Sequence, residues 1–201
     1  MRHKGRRKFK RLPGIRRYRK MFILATKGAK TEPLYFNMFN NGNTVIHVKC
    51  LKGNKQNSPE HVLKRMNDYL KGNRLESGDE AWLIVDRDQW REGQINQLHE
   101  WSQANIRNGF AVSNPKFEYW LLLHFEDGTG INSSRQCTEH LKRHLPHFEK
   151  GHVEVNKLRP GIHDATKRAR LKDTPPCVDW PKITATTVYR LVEKLIQTNN
   201  S

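Results

Sequence analysis

Four short apolar runs divide the first 125 residues of the chain, and polar or turn-forming residues bound each of them. Apolar runs of this length are typical of buried strands in a mostly parallel sheet. They lie at residues 21–26, 45–51, 81–85 and 110–113. Because stretches with helical periodicity separate them, the pattern predicts βαβ units with right-handed crossovers. The predicted fold class is α/β, with a mostly parallel sheet flanked by helices.

Turn and cap residues place helices between these strands. Thr31 is the predicted N-cap of the first helix, and Pro33 fits its first turn. The side chains predicted to face the core from this helix are Leu34, Tyr35, Met38 and Phe39. Three further helices are predicted at residues 58–71, 93–108 and 117–125.

The last third of the chain has a different pattern, which is basic and mainly helical. A glycine-rich turn follows residue 126, and a final amphipathic helix is predicted at 184–197. We therefore predict three parts: a basic N-terminal arm at 1–20, an α/β core at 21–125, and a basic helical extension at 126–201 that packs on the core.

Charge narrows the choice of partner. The 201 residues carry 37 Lys and Arg against 20 Asp and Glu, a net charge of +17, and the mean hydropathy is −0.87. No run approaches the roughly 18 to 20 apolar residues of a membrane span, and no secretory apolar segment follows the basic N-terminus. The three cysteines lack the spacing of a disulfide framework. We expect a cytoplasmic protein without a membrane partner that binds a polyanion, with nucleic acid as the first candidate.

The excess positive charge is concentrated in the N-terminal arm. Residues 1–20 hold 11 of the 37 Lys and Arg and no acid. Such a segment buries too little apolar surface to order itself, so we expect it to clamp a phosphate backbone in a salt-sensitive way. A solubilising tail without a specific partner is the alternative.

The strand at 81–85 runs directly into two carboxylates, Asp86 and Asp88. Ligands bind at the carboxyl ends of strands in open α/β sheets, and carboxylates at i and i+2 both reach a hard ion such as Mg²⁺. Both aspartates are therefore candidate metal ligands. The alternative is a structural loop in which an aspartate caps the next helix and pairs with Arg87 or Arg91.

The segment SNPKFEYWLLLHFE at 113–126 is mostly apolar and is predicted to lie mostly in the core. Glu118 is the one acid in its middle, and a carboxylate in such surroundings must be paired, bound to a metal or turned outwards. His124 is a candidate base, although a lone histidine on an apolar face is more often structural.

The first strand-to-helix turn, ATKGAKTEPLYF at 25–36, is a candidate phosphate site. A glycine-containing turn at the start of a helix offers backbone N–H groups to phosphate, and Lys27 and Lys30 would reinforce it. The turn lacks the GxxxxGK[ST] spacing of an ATP-binding loop.

Basic residues recur in the C-terminal third, where 135–172 holds 10 Lys and Arg against 4 acids. We expect a positive face that tracks phosphates, and a solvated helix surface is the alternative. Cys137, His140 and His144 fall on one side of a helix, which is compatible with zinc but lacks a second ligand cluster. The candidate nucleic-acid-binding residues are Lys30, Arg87, Lys157, Lys167, Arg168 and Arg170.

Four motifs follow one another along the chain: TKGAKTEPLYF, WLIVDRD, SNPKFEYWLLLHF and TTVYRLVEKL. In their order and spacing the chain resembles the RloB-like family of bacterial proteins over about residues 16–197. That family is similar to Toprim-fold proteins, whose metal-dependent nuclease sites join a glutamate after the first strand to an Asp-x-Asp after a later one. The resemblance implies a Toprim-like α/β fold for the core.

The resemblance also implies site residues. Asp86 and Asp88 match the Asp-x-Asp motif, Glu118 matches the acid of the third motif, and Glu32 matches the TEP of the first. Lys27 departs from the pattern, because the family's turn usually reads EGxKTEP and that first glutamate is the expected catalytic acid. A lysine changes the local charge by two units beside a site meant for a dication, so metal affinity should fall sharply.

Three explanations compete for this lysine. It is a substitution introduced to inactivate a toxic nuclease, or the mark of a natural pseudo-enzyme, or a change for which Glu32 compensates as a ligand. The first two are favoured, because Glu32 lies a full turn into the predicted helix and has to reach back to the site.

The function implied by the resemblance is that of a nuclease effector. An intact site would use Mg²⁺ or Mn²⁺ to orient water for attack on a phosphodiester of RNA, tRNA included, or DNA. The family resembles the second component of AbiL-type phage-defence pairs, encoded beside an ABC or AAA-like ATPase. We expect such an effector, inactive in this chain because of Lys27, with a homodimer as a further assembly to consider. The alternative is a noncatalytic nucleic-acid-binding or regulatory subunit of an ATPase complex.

Overall fold

A computed structural model describes residues 19–40, 44–53, 58–87 and 90–200. Within these residues, five strands form one sheet in the order β2, β1, β3, β4, β5. They are β1 (Lys20–Thr26), β2 (Ile46–Cys50), β3 (Glu80–Asp86), β4 (Asn108–Asn114) and β5 (Ala185–Thr186). The first four are parallel and β5 is antiparallel to β4, which confirms the predicted α/β class. The predicted basic arm, apart from Arg19 and Lys20, lies outside the described residues.

Helices cover both faces of the sheet, because successive strand residues point to opposite sides. Phe22 and Leu24 of β1 join one buried cluster, whereas Ile23 and Ala25 join another. The second cluster is covered by α2 (Pro59–Gly72) and α3 (Glu92–Gln103). The first is covered by α1 (Thr31–Asn37), α4 (Phe117–Leu122), α5 (Ser134–His144), α6 (Val155–Leu158), α7 (Ile162–Lys172) and α8 (Val188–Asn200). None of the described helices has the length and apolarity needed to cross a membrane.

The C-terminal part of the chain shares the larger buried cluster with the first part. Leu141 of α5, Ala165 of α7 and Leu191 of α8 are buried in the same cluster as Phe36 and Trp120. The hydrophobic core therefore continues across residue 126, and the turn between the two parts does not divide it.

The first helix differs from its prediction in two ways. Its N-cap residue is Lys30 rather than Thr31, and no side chain caps it. Tyr35, Met38 and Phe39 are buried as predicted, but Leu34 is 42% exposed. The prediction for Leu34 is wrong because Phe36, which the pattern left out, faces the core from this short helix and packs against Phe117.

Several boundaries also differ from the predictions, and strand pairing explains two of these differences. The third helix ends at Gln103 instead of residue 108, because Asn108 already pairs with β3 as the first residue of β4. The last helix begins at Val188 instead of residue 184, because the preceding residues form β5. The Thr186 hydroxyl lies 2.8 Å from that of Ser113, so pairing with an edge strand overrides the helical periodicity at this point.

Candidate functional site

A cleft lies where β1, β3 and β4 end, and we call it the edge cleft. It encloses about 730 Å³. Its walls come from the turn after β1, the end of β3, the start of α4, and the C-terminal part of the chain. The charged side chains that line it are Lys27, Lys30, Glu32, Asp86, Lys116, Glu118 and Lys150. The cleft is thus at the carboxyl ends of parallel strands, where ligands bind in open α/β sheets.

Asp86 is the last residue of β3, and two groups hold its carboxylate. Oδ1 accepts a 2.8 Å hydrogen bond from the N–H of Phe117, and Oδ2 lies 3.2 Å from Lys27 Nζ. The side chains of this ion pair are only 12% and 15% exposed. Burial raises the pKa of Asp86 to about 6, even though the Lys27 ammonium opposes this rise. The structural alternative paired this loop with Arg87 or Arg91, whereas the ionic partner of Asp86 is Lys27.

Lys27 is fixed in place by the sheet. Its N–H donates a 2.9 Å hydrogen bond to the carbonyl of Ile84, which continues the pairing of β1 with β3. Its ammonium lies 5.7 Å from the centre of the Trp90 ring, a cation–π contact, in addition to its contact with Asp86. The position predicted for a catalytic acid therefore carries an anchored internal cation.

Glu32 reaches back from α1 to the turn that precedes it. Its Oε1 accepts a 2.7 Å hydrogen bond from the N–H of Gly28. A Cβ atom at Gly28 would lie 1.9 Å from Glu32 Oε2, so a larger residue there would displace this carboxylate from its present position. Glu32 is the second residue of α1, so it lies in the first turn of the helix and not a full turn into it as expected. The Gly28 N–H, one of the donors expected for phosphate, is already used within the chain.

Three carboxylates influence one another in the edge cleft: Glu32 and Glu118, which are buried, and Asp86, which is partly buried. Glu118 is 7% exposed, because the rest of α4 packs into the core and fixes this residue at the cleft wall. Burial, and then the charges of Asp86 and Glu118, raise the pKa of Glu32 to about 7. The charge of Glu118 also favours the raised pKa of Asp86. The three carboxylates thus place like charges close together on one wall of a cleft that lysines also line.

The described acids do not fit a divalent ion as they stand. Within the described ranges, no group of three or more His, Cys, Asp or Glu side chains is arranged to hold one. Asp86 directs one oxygen at a backbone N–H and the other at Lys27. The Lys27 ammonium contacts the Asp86 oxygen that the backbone N–H leaves free, and it would repel a metal ion bound to that oxygen. Asp88 lies outside the described residues, so its role as a ligand stays a prediction.

Three further lysines face the edge cleft from separate segments. Lys30 belongs to the turn after β1, Lys116 precedes α4, and Lys150 follows α5. The Lys116 ammonium also donates a hydrogen bond to the Thr138 hydroxyl. Together with Lys27 they give the cleft four cationic side chains, which favours anionic ligands.

The other basic residues predicted to bind nucleic acid do not line this cleft. Lys167 is exposed on α7. The remaining four bind groups of the chain itself: Arg87 the carbonyl of Trp90, Arg168 that of Leu123, Lys157 the carboxylate of Glu154, and Arg170 that of Glu193. Their role in nucleic-acid binding stays a prediction.

His124 lies in the core. Its Nδ1 is 3.0 Å from the Trp120 carbonyl oxygen, and its Nε2 is 3.1 Å from the Tyr35 hydroxyl. Burial lowers its pKa to about 4, so the ring is neutral at pH 7. Both ring nitrogens are used within the core, which is the arrangement of a structural histidine.

The zinc grouping considered for α5 is not formed. Cys137 is completely buried, while His140 Nδ1 and His144 Nε2 lie 2.8 and 2.9 Å from the two carboxylate oxygens of Glu126. The sequence analysis missed Glu126 because it lies outside the helix that carries the histidines. It is their partner in a half-buried cluster on the surface.

Sequence reasoning also missed three residues of the edge cleft. Lys116 is part of the third motif, between the end of β4 and Glu118, and its position beside the strand end could have indicated it. Trp90 and Lys150 belong to connecting segments, and no local pattern shows which sheet edge such segments approach. Their presence in the cleft follows from tertiary structure alone.

Comparison with known proteins gives one match. A family model described as RloB-like protein matches residues 22–195, which is more than four fifths of the chain and includes the whole edge cleft. No match is found among curated proteins, and none among solved structures.

Proposed function

The chain belongs to the RloB-like protein family, and from this premise we propose that it is a nucleic-acid-acting effector with a Toprim-like nuclease site that Lys27 holds inactive. One observation carries the proposal. The Lys27 ammonium lies 3.2 Å from Asp86 at the sheet edge, beside two more buried carboxylates. In a Toprim-like enzyme, a metal ion and its carboxylate ligands would lie at this edge.

The charges of the edge cleft support this interpretation. A cluster of buried carboxylates lowers the stability of a fold, and perturbed acids of this kind are concentrated at functional sites. The raised pKa values of Glu32 and Asp86 indicate that the lysine compensates the cluster only in part. A bound dication would compensate it more fully, whereas Lys27 provides one charge and repels the ion.

No hydrolytic step is assigned to this chain, because the cation position beside Asp86 is taken by Lys27. The substrate class follows from the lysines that line the cleft, which fit the phosphodiester backbone of RNA, tRNA included, or DNA. The cytoplasmic location, the ATP-dependent partner of the ABC or AAA-like class and the role in antiphage defence belong to the same proposal. The partner and the defence role rest on the order of the four motifs, and the location rests on the composition of the chain.

Lys27→Glu tests the proposal directly, with Lys27→Met as a control that removes the ammonium without adding a carboxylate. Calorimetric titration with Mn²⁺ or Mg²⁺ should show binding to Lys27→Glu at least ten times tighter than to the unsubstituted chain. The metal should raise the melting temperature of Lys27→Glu but not of Lys27→Met. Metal-dependent cleavage of RNA or DNA should accompany binding, and adding Asp86→Asn should abolish both.

A folded Lys27→Glu variant that neither binds metal nor cleaves nucleic acid would favour the second candidate, a noncatalytic nucleic-acid-binding or regulatory subunit. The observation behind this candidate is the same set of lysines, which needs no metal to bind phosphate. It predicts salt-sensitive binding of RNA or DNA in EDTA. Adding Mg²⁺ or Mn²⁺ should not strengthen this binding in Lys27→Glu. Co-purification with the ATPase encoded beside it tests the proposed partner under either candidate function.

A further inference from the structure

A second cleft adjoins the edge cleft, and we call it the side cleft. It encloses about 580 Å³. Ala29 and Lys30 line both clefts, Lys150 lines the edge cleft, and its neighbour Gly151 lines the side cleft. The two clefts are therefore contiguous, and the Lys30 side chain marks the border between them.

The wall of the side cleft is largely apolar. It is formed by Pro33 and Leu34 of α1 and by Val48 and Cys50 of β2, with the amide of Asn37 also lining it. Leu34 is 42% exposed although the core lies directly beneath its helix. An apolar wall with one amide group fits a flat heteroaromatic ring that has hydrogen-bonding groups on its edge.

The edge cleft next to it is suited to phosphate. Lys30, Lys116 and Lys150 reach it from three separate segments, so an anion between them would contact several elements of the fold. Gly151 supports this arrangement, since a Cβ atom there would lie 2.7 Å from Lys30 Cδ. The stem of Lys30 therefore packs against the backbone at Gly151, on the border between the clefts.

We propose that the two clefts bind one nucleotide unit of a single-stranded nucleic acid, with its base in the side cleft and its phosphate among Lys30, Lys116 and Lys150. The inference rests on the proposed function for the class of ligand, and it adds a subsite that reads the base. Both volumes lie within the roughly 300–1,000 Å³ of small-molecule sites. Lys30 borders both clefts, as a side chain between the base and the phosphate of one nucleotide would.

Equilibrium binding in EDTA tests this subsite apart from any metal chemistry. The probes are the four nucleoside 5′-monophosphates, ribose 5-phosphate and inorganic phosphate, titrated into the full chain by calorimetry. We expect at least one nucleotide to bind ten times more tightly than ribose 5-phosphate, because only the nucleotide fills the side cleft. Equal affinities for the best nucleotide and ribose 5-phosphate would overturn the base subsite.

Two substitutions localise the effect. Leu34→Asn makes the wall of the side cleft polar, and it should remove most of the preference for a nucleotide while ribose 5-phosphate binds as before. Leu171→Asn is the matched control, since this leucine is also exposed, at 67%, but on α7. Lys150→Ala should weaken nucleotide and ribose 5-phosphate by the same factor. A Leu34→Asn variant that keeps the full preference contradicts the proposal.

The source of the nucleotide is tested with short strands. A five-nucleotide single strand of RNA or DNA should bind at least ten times more tightly than the best mononucleotide, because further phosphates reach the basic surface. Leu34→Asn should weaken this strand as well. A strand that binds no better than the mononucleotide would overturn the assignment to a nucleic acid. Lys27→Glu and its metal dependence do not enter these titrations, so either proposal can fail while the other stands.

Discussion

The two ends of β3 carry buried carboxylates in opposite electrostatic situations. At its start, Glu80 accepts hydrogen bonds from Lys20 at 2.8 Å, from Lys194 at 2.9 Å and from the Trp82 indole at 3.0 Å. Burial by itself would raise the pKa of Glu80, but these hydrogen bonds hold it below its usual value. At its end, Asp86 pairs with the Lys27 ammonium in a cleft that two other acids also line. The pKa of Asp86 is raised to about 6.

Under the proposed function, this difference distinguishes a carboxylate that stabilises the fold from one that is kept for a ligand. Two cations and an indole N–H stabilise the acid at the start of β3. At the other end, charge is balanced incompletely at the point where ligands of such sheets bind. Incomplete compensation of charge lowers the stability of the fold, and such a loss is tolerated at sites that function requires.

Removing one lysine from each end tests the comparison most strongly. Lys27→Met should lower the free energy of unfolding at pH 8 by about 2–4 kcal/mol, because Asp86 would remain buried without its counter-charge. Lys194→Met should cost less than about 1 kcal/mol, since Lys20 still pairs with Glu80 and exposed pairs contribute little. Urea denaturation at pH 8 measures both. Similar losses at the two ends would contradict the distinction.

A smaller effect is expected from Gly28→Ala, which forces Glu32 away from the turn. The added Cβ atom would lie 1.9 Å from Glu32 Oε2, and crowding of this kind costs about 1–3 kcal/mol. Gly72→Ala, at the last residue of α2, is the control, because nothing lies within 4 Å of its added Cβ atom. It should be neutral or stabilising by less than about 1 kcal/mol. In thermal denaturation, Gly28→Ala should therefore lower the melting temperature. Gly72→Ala should leave the melting temperature unchanged or raise it slightly.

The smallest of these effects depends on pH. The pKa of Glu32 is raised to about 7 from an ordinary 4.5, so the folded chain retains a proton that the unfolded chain releases. The stability associated with this proton is complete below pH 4.5 and is lost as pH rises to about 7. Glu32→Gln removes the loss, so it should stabilise the chain by about 1–2 kcal/mol at pH 8 and change little at pH 4.

Glu80→Gln gives the opposite sign. The pKa of Glu80 is lowered, so its contribution is present at neutral pH and is lost only as pH falls through the lowered value. The substitution should therefore destabilise the chain at pH 8. Denaturation curves recorded between pH 4 and pH 8 compare the two variants, and a Glu32→Gln curve parallel to that of the unsubstituted chain would count against the raised pKa.

Much of the fold could be predicted from local pattern. The apolar runs that became β1, β3 and β4 are buried on both faces, and such runs have few alternatives in an α/β chain. The position of Asp86 at a strand end followed from the same runs. The two-residue strand β5 could not be predicted, because its pairing with Ser113 and Asn114 depends on a partner more than 70 residues away.

The acidic residues that line the edge cleft were among the predicted site residues, but several of the residues around them were not. Asp86 was recognised because it directly follows an apolar strand, and Glu118 because it is the one acid in the middle of an apolar segment. The approach of Glu32 to Gly28 depends on backbone geometry within a single turn, which residue spacing does not show. Trp90 and Lys150 lie on connecting segments, so their place in the edge cleft is set by packing of the whole chain.

The strand β5 has a consequence for how this protein can be handled in the laboratory. Thr186 and Thr187 cover the outer backbone of β4, and α8 buries its apolar residues behind them. A fragment restricted to residues 21–125 would expose an unpaired strand edge next to a bare apolar surface, a combination that promotes self-association. Contacts with a partner are therefore better mapped by single substitutions than by truncation, since a shortened chain would confuse loss of a contact with loss of solubility.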